Sequence, residues 1–344
     1  MPSKTASMRR LKIAMTGATG FVGSHTVREL AARGHDLSVL VRHTKKLKND
    51  FPATARLIAG SLTDQAALAE LTQSADVVLH VAGAISAVDE AGFRTVNVDG
   101  TRAVVEAARK AGVKRLVHVS SLAAREPSLS YYCASKAEGE TVVREIDAEM
   151  DWIIIRPPAV YGSGDRATLP LIQQLSRRHA FLTGTRGQRI SVLHVDDLAA
   201  ALVCATEGDV APGNIYEADD GTPGGYGWQD LAAAAGASLG FVPRVYLLPA
   251  WLVKAAGGLS GALARITHMA AILSFGKARE LYHPDWVIRG MRLDDTGAWT
   301  AKINFENGFA STLDWYRQKG WLPDVQDPPT KRHIVGGDSK DDGR

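Results

Sequence analysis

Short apolar runs alternate with helix-like stretches from Leu11 to about Ile155. The runs Leu11–Thr16, Leu37–Val41, Arg56–Ala59, Val77–Val81, Leu116–Ser120 and Trp152–Ile155 are brief and rich in Val, Ile or Leu. Apolar character sustained over so few residues predicts strands buried on both faces. Between them, Val22–Arg33, Gln65–Leu71, Thr101–Ala111 and Ser135–Glu149 predict helices, with Gly34 and Gly112 standing where helix stops belong. Strand–helix alternation repeated this often predicts an α/β fold built on a doubly wound parallel sheet. After Arg156 the rhythm changes. Pro157, Pro158, Gly162, Gly164 and Pro170 mark loops, and helices are expected to return at Asp197–Thr206, Trp228–Leu239 and Pro249–Ala264.

Composition narrows the field of functions. The 344 residues are 45% hydrophobic, enough for a large core, and the formal net charge is only +3. A balance so close to neutral is no evidence for nucleic-acid binding without a clustered basic face. Cys133 and Cys204 are the only cysteines. They cannot build a disulfide framework and point to a reducing compartment. Histidines 25, 43, 118, 194 and 268 show no metal-ligand spacing, so no metal site is expected. No window reaches the ~18 uninterrupted apolar residues of a membrane span. The nearest stretch, Tyr246–Phe275, is broken by Lys254, Arg265 and His268. A cytoplasmic protein is expected, with peripheral contact at the inner face of a membrane as an alternative.

The first candidate chemistry is Thr16-Gly17-Ala18-Thr19-Gly20-Phe21-Val22-Gly23, which follows a predicted strand and opens a predicted helix. Gly17 permits the tight turn, Gly20 lets the backbone approach a pyrophosphate and Gly23 allows close helix–strand packing. The helix N-terminus then offers free N–H groups and a favourable dipole to phosphates. This is the dinucleotide fingerprint of a Rossmann sheet, in the required structural order. The second strand ends at Val41-Arg42-His43-Thr44-Lys45-Lys46, where an NAD-selective site carries an acid for the ribose hydroxyls. A guanidinium there suits a 2′-phosphate, so NADP(H) is the expected cofactor and NAD(H) the alternative. The expected divisions are a flexible leader over 1–10, an NAD(P)-binding domain over 11–165 with returns near 190–217, a smaller C-terminal substrate-binding and lid region over 166–323, and a flexible tail over 324–344.

Tyr132-Cys133-Ala134-Ser135-Lys136 is the second candidate. A tyrosine of pKa ~10 is a poor proton carrier at neutral pH unless a cation stabilises its phenolate. A lysine four residues later lies on the same helical face. Tyr131 competes for the role but has Ser135, not lysine, at that spacing. Ser120 and Ser121 close the fifth strand at its carboxyl end, where such sheets bind ligands. Ser121 is preferred because it lies one step further towards the ligand side.

Taken with further landmarks, the chain resembles the extended and atypical short-chain dehydrogenases/reductases, which include 3β-hydroxysteroid dehydrogenases, dihydroflavonol reductases and nucleotide-sugar epimerases. The landmarks are Thr16–Gly23, HVAG at His80–Gly83, NVDGT at Asn97–Thr101, VSS at Val119–Ser121, YCASK at Tyr132–Lys136, RPPAVYG at Arg156–Gly162, HVDDLA at His194–Ala199 and the closing LDWYRQKGWL. The resemblance implies that Ser121 orients a substrate carbonyl or hydroxyl, Tyr132 exchanges its proton, Lys136 lowers the tyrosine pKa and Asn97 supports a proton relay. It places Thr19, Phe21, Val22, Ser61, Leu62, Ala82, Gly83 and Pro158 beside the cofactor. His194 is read as structural, with Asp196 capping the helix that follows.

Departures from the family pattern bear on the substrate. Ser61 stands where relatives often have Asp, and the interval from Ser121 to Tyr132 is short. Ala159 replaces an Asn common in nucleotide-sugar enzymes, and Ile190 stands where those enzymes often place Arg, with Arg189 one position off. A phosphate-bearing ligand would lose charge-assisted contacts. The segment 245–275 is dense in apolar residues, which fits either a core helix pair or a greasy, membrane-facing lid. The leading expectation is a ketoreductase or 3β-hydroxysteroid dehydrogenase-like enzyme acting on a bulky apolar sterol-, polyprenoid- or ceramide-like lipid. A nucleotide-sugar epimerase/dehydratase and a non-catalytic NADPH-binding accessory subunit are the alternatives, and a homodimer is the assembly considered.

Overall fold

The computed structural model describes residues 10–43, 51–146, 149–253 and 275–322. The expected leader and tail, Lys45, Lys46 and most of 245–275 lie outside the described residues. Six strands form the heart of the sheet: β1 (Lys12–Thr16), β2 (Asp36–Val41), β3 (Arg56–Ala59), β4 (Val77–His80), β5 (Arg115–Val119) and β6 (Asp151–Arg156). They lie in the order β3-β2-β1-β4-β5-β6, and Asn214–Glu217 and Met291–Arg292 extend the same sheet beyond β6. Every pairing in it is parallel. The order reverses between β1 and β4, which opens a crevice beyond their carboxyl ends.

Five of the strands are apolar at successive positions because each side of the sheet has its own core; β3, expected to be buried on both faces, is the edge strand and buries only Ile58. Ile13 and Met15, Val39 and Val41, and Ile153 and Ile155 point into one cluster. The intervening Ala14, Leu40 and Ile154 point into the other. Period-two alternation therefore persists, but between two buried environments rather than between core and water. The helices covering these faces include α1 (Phe21–Ala32), α2 (Gln65–Thr72), α3 (Glu90–Arg94), α4 (Gly100–Lys110) and α5 (Tyr131–Arg144). Gly34 and Gly112 end helices at φ +80° and +70°, a region that costs glycine little.

A separate core of Ile172, Leu182, Leu231, Phe305, Phe309 and neighbours lies on the C-terminal side. It gathers the helices Leu169–Leu175, Trp228–Leu239 and Phe305–Gln318 against two-stranded parallel ribbons. One ribbon pairs His179–Thr183 with Arg244–Leu248. These short strands escape a periodicity reading because each runs for only a few residues and is bounded by Gly or Pro. The helix expected at Pro249–Ala264 is described only at its start, where residues 250–253 are helical. His194 itself caps the helix Val195–Glu207, its ring accepting from Asp196 N. The expected cap, Asp196, is instead drawn to His25 at 2.6 Å.

Candidate active site

β1 delivers Thr16 to the crevice and Gly17 turns the chain at φ +76°. A Cβ at Gly17 would stand 2.5 Å from Ala82 N, and one at Gly23 would stand 2.0 Å from Gly17 O. Both positions therefore need glycine for contact, one with the chain leaving β4 and the other within the loop itself. Gly20 N donates to Gly17 O at 3.0 Å. Gly20 is also the N-cap of α1 and, lacking a side-chain cap, leaves the first-turn amides of Phe21, Val22 and Gly23 available. Thr19 and Gly20 are exposed. Such a cradle fits a dinucleotide pyrophosphate.

Thr16 ties the two sides of the crevice together. Its Oγ1 accepts from Ala82 N and lies 2.6 Å from His80 Nδ1. Arg42 stands exposed at the end of β2 and makes no ion pair among the described residues. Beyond β3, Ser61 Oγ lies 2.8 Å from Thr63 Oγ1, and Leu62 packs so closely on Gly100 that a Cβ there would come within 2.7 Å. Pro158 follows the end of β6.

Ser130 caps α5, its hydroxyl accepting from Cys133 N at 3.1 Å. The helix therefore begins at Tyr131, four residues before the predicted start at Ser135, and Tyr132 occupies its first turn. Ser121 caps the short 3-10 turn after β5, accepting from Ala123 N, and its hydroxyl is the side-chain group that opposes the rise in the Tyr132 phenol's proton affinity. Ser120 is engaged elsewhere, donating to Glu140. Tyr131 is 51% exposed, whereas Tyr132 is half-buried against Phe93. Of the competing serines and tyrosines, Ser121 and Tyr132 are the pair that meet.

Lys136 is buried and donates to Val119 O at 2.8 Å. Asn97 lies in a π-helical turn, Thr95–Asp99, a form often found at functional sites. Its Oδ1 accepts from Ala84 N at 2.7 Å, and its Nδ2 donates to Ala84 O and to Ser135 Oγ. The amide is thus fully engaged in holding the chain after β4 to α5. Gly83 lies between these groups: a Cβ there would be 3.4 Å from Asn97 Oδ1 and 3.7 Å from Lys136 Nζ.

The charge balance departs from the expectation for Lys136. Burial pushes the Tyr132 phenol up to about 12; its Ser121 hydrogen bond pulls the other way, and Glu280 and Cys133 add to the rise. Lys136 is absent from the groups acting on it. Burial lowers Lys136 to about 8, opposed by the nearby Glu140 carboxylate. Desolvation exceeds the expected cation effect because the lysine is directed to Val119 O.

Two buried groups were missed from sequence. Glu140 is bound by Arg156 through Nε at 2.7 Å, and Arg156 also faces Glu217 at 3.7 Å. Glu140 stands four residues beyond Lys136, a spacing that offered a signal. His80 and His118 stack at 5.2 Å beneath the crevice. Burial, reinforced by the Lys136 charge, holds His80 down at about 3 and His118 well below its ordinary value. Among the described residues, neither ring nitrogen of His118 has a hydrogen-bond partner.

The model of the NAD dependent epimerase/dehydratase family matches residues 13–218. A protein named ceramide reductase from Caulobacter vibrioides (strain NA1000 / CB15N) is 41% identical over 90% of this chain and 96% of its own length. A farnesylated dihydroquinoline-oxide ketoreductase from Stigmatella aurantiaca is 30% identical over 61% of this chain and 68% of its own. Among solved structures, a Thermus thermophilus UDP-glucose 4-epimerase in complex with NAD superposes with a TM-score of 0.67 at 22% identity. The match covers 89% of this chain and 99% of that one, a likeness of fold. The chain belongs to the NAD dependent epimerase/dehydratase family within the extended short-chain dehydrogenases/reductases, and it is an NAD(P)-dependent oxidoreductase.

Proposed function

We propose that the enzyme is an NADPH-linked ketoreductase that interconverts a ketone and a secondary alcohol on a bulky, ceramide-like lipid. The observation that carries the reading is Ser121 acting on the Tyr132 phenol, one helical turn from a buried Lys136 that stands with Asn97 around Gly83; Tyr131, next in the chain, is exposed. The long alignment with a protein named ceramide reductase supports the same substrate class. Arg42 supports NADPH, since a guanidinium binds a 2′-phosphate in a bidentate fashion.

A bound reduced nicotinamide supplies the hydride. Ser121 and Tyr132 hold the substrate oxygen between their hydroxyls, and Tyr132 gives that oxygen its proton. A phenol raised to about 12 carries this proton throughout the neutral range, as ketone reduction requires. Lys136, at about 8, is still largely cationic at neutral pH; to stabilise the tyrosinate left by the transfer its ammonium would turn from Val119 O, to which it donates here. Asn97 keeps Ala84 and α5 in register around the reacting atoms.

The nucleotide-sugar alternative finds less support. Arg189, the arginine nearest the expected sugar-phosphate position in sequence, is occupied by the carbonyls of Gly224 and Gly225 and by Asp230. The accessory-subunit alternative leaves the Tyr132–Ser121 contact without a role.

The test follows reduced-nicotinamide absorbance with a detergent-dispersed ceramide oxidised to the ketone beside its amide-bearing carbon. UDP-glucose is run in parallel, with NADPH and NADH compared. NADPH consumption with a product two hydrogens heavier is expected from the lipid. An enzyme that binds NADPH yet reduces no lipid ketone refutes the reading, and epimerisation of the sugar replaces it with the alternative.

A further inference from the structure

The strand ribbon on the C-terminal side has one face in the core and one in water. Ala180, Leu182, Val245 and Leu247 pack inward. On the other face Phe181 pairs with Tyr246 and His179 with Arg244. Phe181 and Tyr246 are 51% and 44% exposed, yet their rings stack at 5.3 Å. Just beyond the ribbon, Trp251 and Leu252 are 69% and 46% exposed. A concentration of large apolar side chains in water marks an interaction surface.

The segments that build this face carry charge of a single sign. The sequence contains no Asp or Glu from Arg166 to Val195, and none from Leu231 to Arg279. The ribbon is built from these two acid-free segments. Arg177, Arg178 and Arg244 stand exposed on them without an ion pair among the described residues. Arg178 covers the Phe241 ring instead, at 4.7 Å from its centroid. In a chain with 37 acidic residues, two such segments brought side by side form a cationic, aromatic face. Tyr and Trp rings suit the boundary between headgroups and hydrocarbon, and arginines suit an anionic lipid surface.

Hydrogen bonds also link the end of the ribbon to the helix bearing Tyr132. Tyr282 OH donates to Leu248 O at 2.7 Å, tying the end of the ribbon to the helix Phe275–Leu281. Glu280 of that helix accepts from Ser130, the residue that caps the helix bearing Tyr132.

We propose that the exposed face of the ribbon His179–Thr183/Arg244–Leu248, with Trp251 and Leu252 beside it, docks on a membrane surface containing anionic lipid. Docking would set the enzyme against the layer in which a ceramide-like substrate resides. The inference therefore deepens the functional reading above, but it is read without turnover.

The experiment is co-sedimentation of the full chain with vesicles of phosphatidylcholine, with and without about one-third phosphatidylglycerol. Strong binding to the anionic vesicles is expected, weakening in high salt. Arg178→Gln and Arg244→Gln should each weaken it about fivefold. Phe181→Ser with Tyr246→Ser should abolish it, while thermal unfolding and turnover of the detergent-dispersed lipid ketone stay unchanged. Vesicle binding that ignores all four substitutions overturns the proposal. So does wild-type protein that binds no vesicle but sediments as a dimer which the Phe181/Tyr246 variant dissociates, since the face would then belong to a second copy. Vesicle binding without ketone turnover leaves the docking face standing and removes the ceramide reading.

Discussion

The stacked histidines beneath the crevice make the fold acid-sensitive in a way that can be measured. His80 closes β4 and holds Thr16 on β1, the residue just before the glycine loop. Its folded pKa is lowered to about 3 by burial and then by the Lys136 charge; an unfolded histidine titrates near 6.5. The unfolded chain therefore takes up the proton first. The stability that neutral His80 contributes is fully present above about 6.5 and is lost as pH falls from there towards 3. Between pH ~7.5 and ~5.0, linkage gives a loss of about 2 kcal/mol for a histidine that stays neutral in the fold. His118, lowered in the same direction, adds a loss of the same sign. His118→Leu removes its share without breaking a hydrogen bond, because both ring nitrogens lack partners among the described residues. It also removes an unsatisfied buried polar group, worth about 1–3 kcal/mol. Urea unfolding followed by tryptophan fluorescence should find the variant at least as stable as wild type near neutrality. Its stability should then fall less steeply towards pH 5. Parallel stability curves for the two proteins over this range would refute the argument.

Three further outcomes follow from the candidate site. Tyr132→Phe should lower the turnover number by about 10²–10⁴-fold, the usual range for a lost acid–base group, with NADPH still bound as judged by quenching of protein fluorescence; near-normal turnover would remove the tyrosine from the chemistry. The reduction rate should decline as pH rises through about 8, where Lys136 loses its charge, and a profile flat to pH 10 would show that this charge is not needed. Arg42→Asp should weaken NADPH relative to NADH by about 10- to 100-fold, from the ~1.5–3 kcal/mol of a charged hydrogen bond; an unchanged ratio of Kd values would take Arg42 out of cofactor selection.

Much of the sheet and one half of the site are local properties, and the sequence by itself determined them. Brief apolar runs defined β1 to β6 to within a residue or so, because strands buried on both faces tolerate few polar side chains. The glycine loop was legible for a similar reason: Gly17 and Gly23 meet backbone atoms at distances that no side chain permits. Tyr132 and Lys136 share a helix, so their spacing alone put them on one face. Tertiary structure decided the rest. Ser121 rather than Ser120 faces Tyr132 because Glu140, about two turns further along α5, engages Ser120. The buried environment of Tyr132 and Lys136 outweighs their proximity in sequence, so desolvation controls both proton affinities. The exposed aromatic face was equally hidden, since Phe181 and Tyr246 lie far apart along the chain and only the parallel register brings them together. Patterning records what each segment buries. Which buried groups face one another depends on contacts between distant segments, and these exist only once the sheet has formed.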